Sequence, residues 1–201
     1  MEEQINKKEI NGKVSNINCN DNKPKLLIYD KDEEKIIEKM SELLYDICKE
    51  NTKDFKNDKN IYIKPFLSKT IPSISIRDYF WRLCKYSKIN NSTKILILIY
   101  IDRLCNMYKF KLSFYNIHKL IFTSMLVAIK YNEDDFYSTK FYSKLGGISR
   151  TDVIILESTF LSLIDFNLFV SEELFKKYND YISSAESDED ECEYDISYND
   201  D

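Results

Sequence analysis

Three charged side chains sit where helices this apolar ordinarily carry none. Glu157 has Val153, Ile154, Phe160 and Leu161 at positions -4, -3, +3 and +4, so every neighbour it meets on a helix is apolar. A carboxylate there must pair with a cation, accept hydrogen bonds or face a partner, because an unpaired buried charge is costly. Lys130 closes the most apolar stretch of the chain, "LIFTSMLVAIK", and Glu133, Asp134 and Asp135 follow it. Asp102 follows the run Ile95–Ile101 and precedes Arg103. For Asp102 and Arg103 the expectation is an internal polar network that ties helices together. For Lys130 and Glu157, structural and interface roles stand level on composition alone. A helix C-terminus favours a lysine by about 0.3–1 kcal/mol, and the acids after it suit the N-terminus of a short helix expected at 136–145.

Signals for catalysis are weak beside these. The chain has no phosphate-binding glycine loop, dinucleotide fingerprint, zinc-protease helix or nucleophile elbow. Its one histidine, His118, has Phe114, Tyr115, Ile121 and Phe122 as helical neighbours, the setting of a hydrogen-bonded core residue. Cysteines stand at 19, 48, 84, 105 and 192 with no C-x-x-C pair. That pattern argues against a zinc site and a disulfide framework and for a reducing compartment, cytoplasmic and/or nuclear. Cys84 and Cys105 read as inert core thiols. No enzyme activity, metal or cofactor is expected.

The elements that must position these residues are helices. Only three Gly and three Pro occur in 201 residues, 43% of which are hydrophobic, which favours helices over a many-turned sheet fold. "KDEEKIIEKMSELLYDICKE" (31–50) places Ile36, Met40, Leu43, Leu44 and Ile47 on one face. Residues 51–60 read as a linker. Ser75 with Asp78 forms a capping box and opens a helix to about Tyr86. Asn91 or Ser92 is expected to cap the next helix, Ser113 to open a third running to Lys130, and Gly146 to stop the short one in the left-handed conformation. Ser149 and Ser171 cap the last two. The helices around 93–108 and 114–130 are apolar over most of their circumference, which places them at the centre of a bundle. The fold class expected is all-α, with five or more helices over 72–182.

The ends differ from this body. Residues 1–29 are polar and read as disordered. Residues 183–201 hold nine acids and no Lys or Arg; since the chain carries -5, the other 182 residues carry +4. This tail is expected to be disordered, and Ser187, ahead of four consecutive acids, is a possible phosphosite. The N-terminus lacks the apolar stretch of a signal peptide, and no apolar run is long enough for a membrane span. A +4 body makes no strong case for nucleic acid.

Five stretches, "IPSISIRDYFWRLCKY", "IYIDRL", "NIHKLIFTSMLVAIKYNEDDFYS", "KLGGIS" and "LESTFLSLIDFNLFVSEELFKKY", follow one another in an order and spacing that resemble a cyclin box. The variety resembled is the P-type, phosphate-pathway branch, also called U-type, and the likeness covers about 66–182. It implies a five-helix bundle around a central third helix, here with an added N-terminal helix from residue 30 and a C-terminal helix. It implies a regulatory subunit that binds and activates a cyclin-dependent protein kinase, as a heterodimer, by holding the kinase αC helix in its active position. By motif, the kinase-binding Lys and Glu of the family fall on Lys130 and Glu157. The apolar contacts to the same kinase helix fall on Tyr131, Leu161, Phe166 and Leu168. The branch usually has Arg at the position of Lys119, and Asn at those of Thr139 and Ile154. The "MRAIL" patch of mitotic cyclins is not matched by "SISIRDYFW", so recruitment of Arg-x-Leu substrates is not expected. The alternative is a helical adaptor of cyclin-like fold that binds a kinase or the transcription machinery without activating a kinase.

Overall fold

A computed structural model of the chain describes residues 31–52, 61–109 and 111–184. The expected N-terminal segment, most of the 51–60 linker and the acidic tail with Ser187 lie outside the described residues. Seven α-helices are present there: α1 (Lys31–Thr52), α2 (Ile76–Ser87), α3 (Asn91–Tyr108), α4 (Ile117–Asn132), α5 (Thr139–Gly146), α6 (Arg150–Leu163) and α7 (Glu172–Ser183). A 3-10 helix, Ile61–Phe66, precedes α2 and had no signal in the sequence. No strand occurs among the described residues, and no helix there is long and apolar enough to cross a membrane.

Packing follows from which helices have a polar face. Every residue of α3 from Thr93 to Ile101 is buried, as is nearly all of α4 from Ile117 to Ile129. A helix without a polar face must be covered on all sides. α4 is accordingly covered by α2, α3, α6 and the 3-10 helix. The five helices α2–α6 thus form a bundle around the third of them, α4. The amphipathic α1 lays Ile37, Met40, Leu44 and Cys48 against it, and α7 packs along α3 and α1. Each fully buried Leu, Ile or Phe contributes about 1.5–3 kcal/mol.

Local chemistry sets the helix ends. The Ser75 hydroxyl accepts from the Asp78 backbone N–H at 3.0 Å, the expected cap, and donates to the Asp78 carboxylate at 2.8 Å, so the carboxylate meets the hydroxyl rather than the Ser75 N–H of a full capping box. Ser149 does the same with Asp152, and Ser171 caps α7 by accepting from the Leu174 N–H. Other ends depart from expectation. Asn90, not Asn91 or Ser92, caps α3, its Oδ1 accepting from the Thr93 N–H at 2.8 Å. α4 begins at Ile117 rather than Ser113, because the buried Asn116 side chain spends its bonds on the Ser113 N–H and the Lys111 carbonyl, closing a turn ahead of the helix. The short helix begins at Thr139, after the Ser138 cap, not at 136. Gly147 rather than Gly146 takes the left-handed conformation, at φ 67°. Gly146 is needed for another reason: a Cβ there would lie 2.4 Å from Phe122.

His118 is a core residue. Its Nε2 lies 3.0 Å from the Ile74 carbonyl oxygen, and its ring meets Tyr79 edge-on at 5.1 Å. Burial pulls its pKa below the ordinary histidine value, which keeps the ring neutral with Nε2 as the donor. The thiols of Cys48 and Cys105 are pushed up by burial, Cys48 to about 12, so neither is a nucleophile.

Candidate functional site

Lys130 of α4 and Glu157 of α6, 27 residues apart in sequence, meet at 2.5 Å. α4 packs against α6, and their register brings the last turn of one beside the middle of the other. Glu157 is thus paired, as its apolar neighbourhood requires. The pair is not sealed inside: the Lys130 side chain is 34% exposed and that of Glu157 17%. An ammonium with three donors and a carboxylate with four acceptor positions leave hydrogen-bonding capacity on the solvent side after one mutual contact.

Several apolar side chains on the same elements lack cover. Tyr131 is exposed, as are Ile154 and Ile155 beside Glu157 on α6. Phe166 and Phe169 are the most exposed large hydrophobic residues among those described, at 67% and 70%. Leu161 and Leu168 are half-buried against the core. Leu168, Phe169 and Val170 also line an open cleft of ≈ 490 Å³, with Leu96 of α3, Tyr131 of α4 and Phe175 of α7. A part-exposed charged pair next to Tyr131, which lines this apolar cleft, is the anatomy of a protein-docking site. The residues singled out in the sequence, Lys130, Glu157, Tyr131, Leu161, Phe166 and Leu168, therefore lie on the elements α4, α6 and the linker after α6.

That linker is held in an unusual shape. Asp165 and Phe166 both adopt positive φ, at 52° and 53°, a conformation that costs a side-chain-bearing residue about 1–2 kcal/mol. The turn is secured by the Phe166 N–H donating to the Leu161 carbonyl at 2.9 Å. Beyond it, α3 reaches across to three successive carbonyls. Arg103 donates to Asn167 O and, at 3.1 Å, to Phe169 O. The Tyr100 hydroxyl donates to Leu168 O at 2.9 Å. Asp102 does not pair with Arg103. Its carboxylate accepts from the Tyr178 hydroxyl of α7 at 2.6 Å and from Asn106 at 3.0 Å. Asp102 and Arg103 thus join α3 to α7 and to the linker, and the strained linker presents Phe166 and Phe169 to solvent.

Sequence reasoning missed the roles of five of these residues. Tyr100 hides in an apolar run, with only its hydroxyl to mark it. Phe169 and the Leu96–Phe175 cleft depend on how the linker folds back. Glu133 does not serve the short helix. Its carboxylate accepts from Thr93 Oγ1 at 2.5 Å and the Asn90 N–H at 3.2 Å, so it helps cap α3 instead; its signal in the sequence was only its place among three acids.

Comparison with known proteins agrees with this architecture. The family model described as Cyclin matches residues 15–168. The chain is 37% identical over 155 residues to Cyclin-U4-2 of Arabidopsis thaliana, covering 75% of this chain and 69% of that one. It is 36% identical over 121 residues to PHO85 cyclin-like protein psl1 of Schizosaccharomyces pombe, covering 59% and 50%. Against PHO85 cyclin-7 of Saccharomyces cerevisiae it is 35% identical over 128 residues, covering 58% and 45%. The chain thus spans about half the length of the two yeast relatives.

Proposed function

The chain belongs to the cyclin family, and from that premise we propose that it is the regulatory subunit of a cyclin-dependent protein kinase, which it binds through the face centred on Lys130 and Glu157. The observation that carries this reading is the pairing of those two side chains at 2.5 Å, part-exposed next to Tyr131 and the apolar cleft that Tyr131 shares with Leu168 and Phe169. The names of two yeast relatives, PHO85 cyclin-7 and PHO85 cyclin-like protein psl1, support a kinase of that class as the partner.

In this reading the apolar surface takes the αC helix of the kinase, and the Lys130 ammonium and Glu157 carboxylate turn their spare hydrogen-bonding positions to the backbone beside it. The rigid bundle binds the inward position of αC more tightly than the outward one, and that difference in affinity shifts the kinase to its active state. Inward αC completes the Lys–Glu ion pair needed for phosphoryl transfer. The chain itself supplies no reacting group.

The test captures the kinase on the tagged chain from its own cells and compares Lys130→Ala, Glu157→Ala and the double variant, each with helicity checked by circular dichroism. Truncating either side of a buried polar contact weakens association by about 2–5 kcal/mol. Full-strength binding by a folded double variant overturns the site. Capture of a kinase whose activity does not rise on addition of the chain overturns activation and favours a non-activating adaptor.

A further inference from the structure

Charge is segregated along this chain beyond what the docking face uses. Residues 61–150 carry a net +10, whereas residues 185–201 carry nine acids and no basic residue. Five of the fifteen basic residues in that stretch lie on α2 and α5, which pack against each other, with the Tyr79 hydroxyl of α2 donating to the Gly146 carbonyl of α5 at 3.1 Å. Arg82 lies over the Tyr79 ring, which puts it on the side of α2 that faces α5. Lys85 lies 4.2 Å from the centre of the Trp81 ring. Lys140 and Lys144, one turn apart, are exposed on α5. Arg77 of α2 already pairs with Glu34 and Glu38 of α1, and Lys130 with Glu157. The Nε of Arg82 is buried without a hydrogen-bond partner.

We propose that the acidic segment 185–201 docks back onto the basic α2–α5 face of its own chain. Composition supplies the complementarity: a segment with only negative charge, and two packed helices whose Arg82, Lys85, Lys140 and Lys144 are in no ion pair among the described residues. Reach is sufficient. The 17 residues after Ser184 extend to about 55 Å, and a domain of this size is about 40 Å across. Attachment through α7 raises the local concentration of the segment to about the millimolar range. Several exposed pairs, each worth at most about 1 kcal/mol, then suffice to populate the docked state at low salt. Docking covers the basic face against other polyanions. Phosphorylation of Ser187, which adds a charge of about -1.5 to -2, tightens it.

Zero-length carbodiimide crosslinking of the full chain, read by mass spectrometry, tests this. Carboxylates of 186–201 are expected to link mainly to Lys85, Lys140 and Lys144, and the yield is expected to fall several-fold at about 0.5 M salt, where exposed charges are screened. Links spread equally over Lys35, Lys39, Lys49, Lys176 and Lys177, links insensitive to salt, or links between differently isotope-labelled copies overturn the proposal. A second full-length variant, with the tail acids changed to Asn and Gln, keeps the bundle untouched. Its backbone amide resonances are expected to move at 82–88 and 140–144, and an unchanged spectrum there overturns the proposal as well.

Discussion

Gly146→Ala puts a methyl group where α5 meets α4. The new Cβ would stand 2.4 and 2.5 Å from two atoms of the Phe122 ring, well inside van der Waals contact. Phe122 is fully buried on the central helix and has no free volume to retreat into. Overpacking of this kind costs about 1–3 kcal/mol. The gain in helix propensity, up to about 1 kcal/mol in a helix interior, is smaller at the last residue of α5. The net loss lowers Tm by roughly 2–10 °C at about 2–4 °C per kcal/mol for a domain of this length. Gly147→Ala costs about 1–2 kcal/mol for a different reason, its positive φ, with nothing near the added methyl. Thermal or urea unfolding of a double-mutant cycle separates the two. Phe122→Leu is expected to recover about 1 kcal/mol or more of the Gly146→Ala loss and none of the Gly147→Ala loss. If Gly146→Ala leaves Tm unchanged or raises it, or if Phe122→Leu fails to couple with it, the close packing of α5 on α4 is refuted.

Arg103→Ala removes the bonds to the Asn167 and Phe169 carbonyls and frees the linker that presents Phe166 and Phe169. Kinase affinity is expected to fall by about tenfold, equivalent to roughly 1.4 kcal/mol, although Arg103 lies outside the apolar surface; titration of the purified pair checks it, and unchanged affinity refutes the clamp. His118 is held below its ordinary pKa by burial, so the unfolded chain binds a proton at a higher pH than the folded one. Stability is complete above the unfolded value near 6.5 and is lost as pH falls from there towards the folded pKa. Urea midpoints measured between pH 7.5 and 5 are expected to decline less steeply for His118→Gln than for the parent chain.

Much of the fold was legible because it is written in local patterns. The amphipathic stripe of residues 31–50, the Ser75, Ser149 and Ser171 caps and the all-round apolarity of "ILILIYI" and "IFTSMLVAI" each concern residues within a turn or two of one another. Helix formation and the need to cover an apolar helix follow from such patterns directly. The sequence also marked Glu157 as a charge in need of a partner. It could not say which glycine of the pair turns left-handed, since either satisfies a helix stop until Phe122 arrives to exclude a side chain at 146. Nor could it show that Glu133 caps α3, that Tyr100 and Arg103 hold the linker, or that Lys130 answers Glu157. Those bonds join residues 27 to 68 positions apart. They depend on the crossing and register of whole helices, which the sum of many side-chain contacts in the core decides and no single stretch of sequence contains.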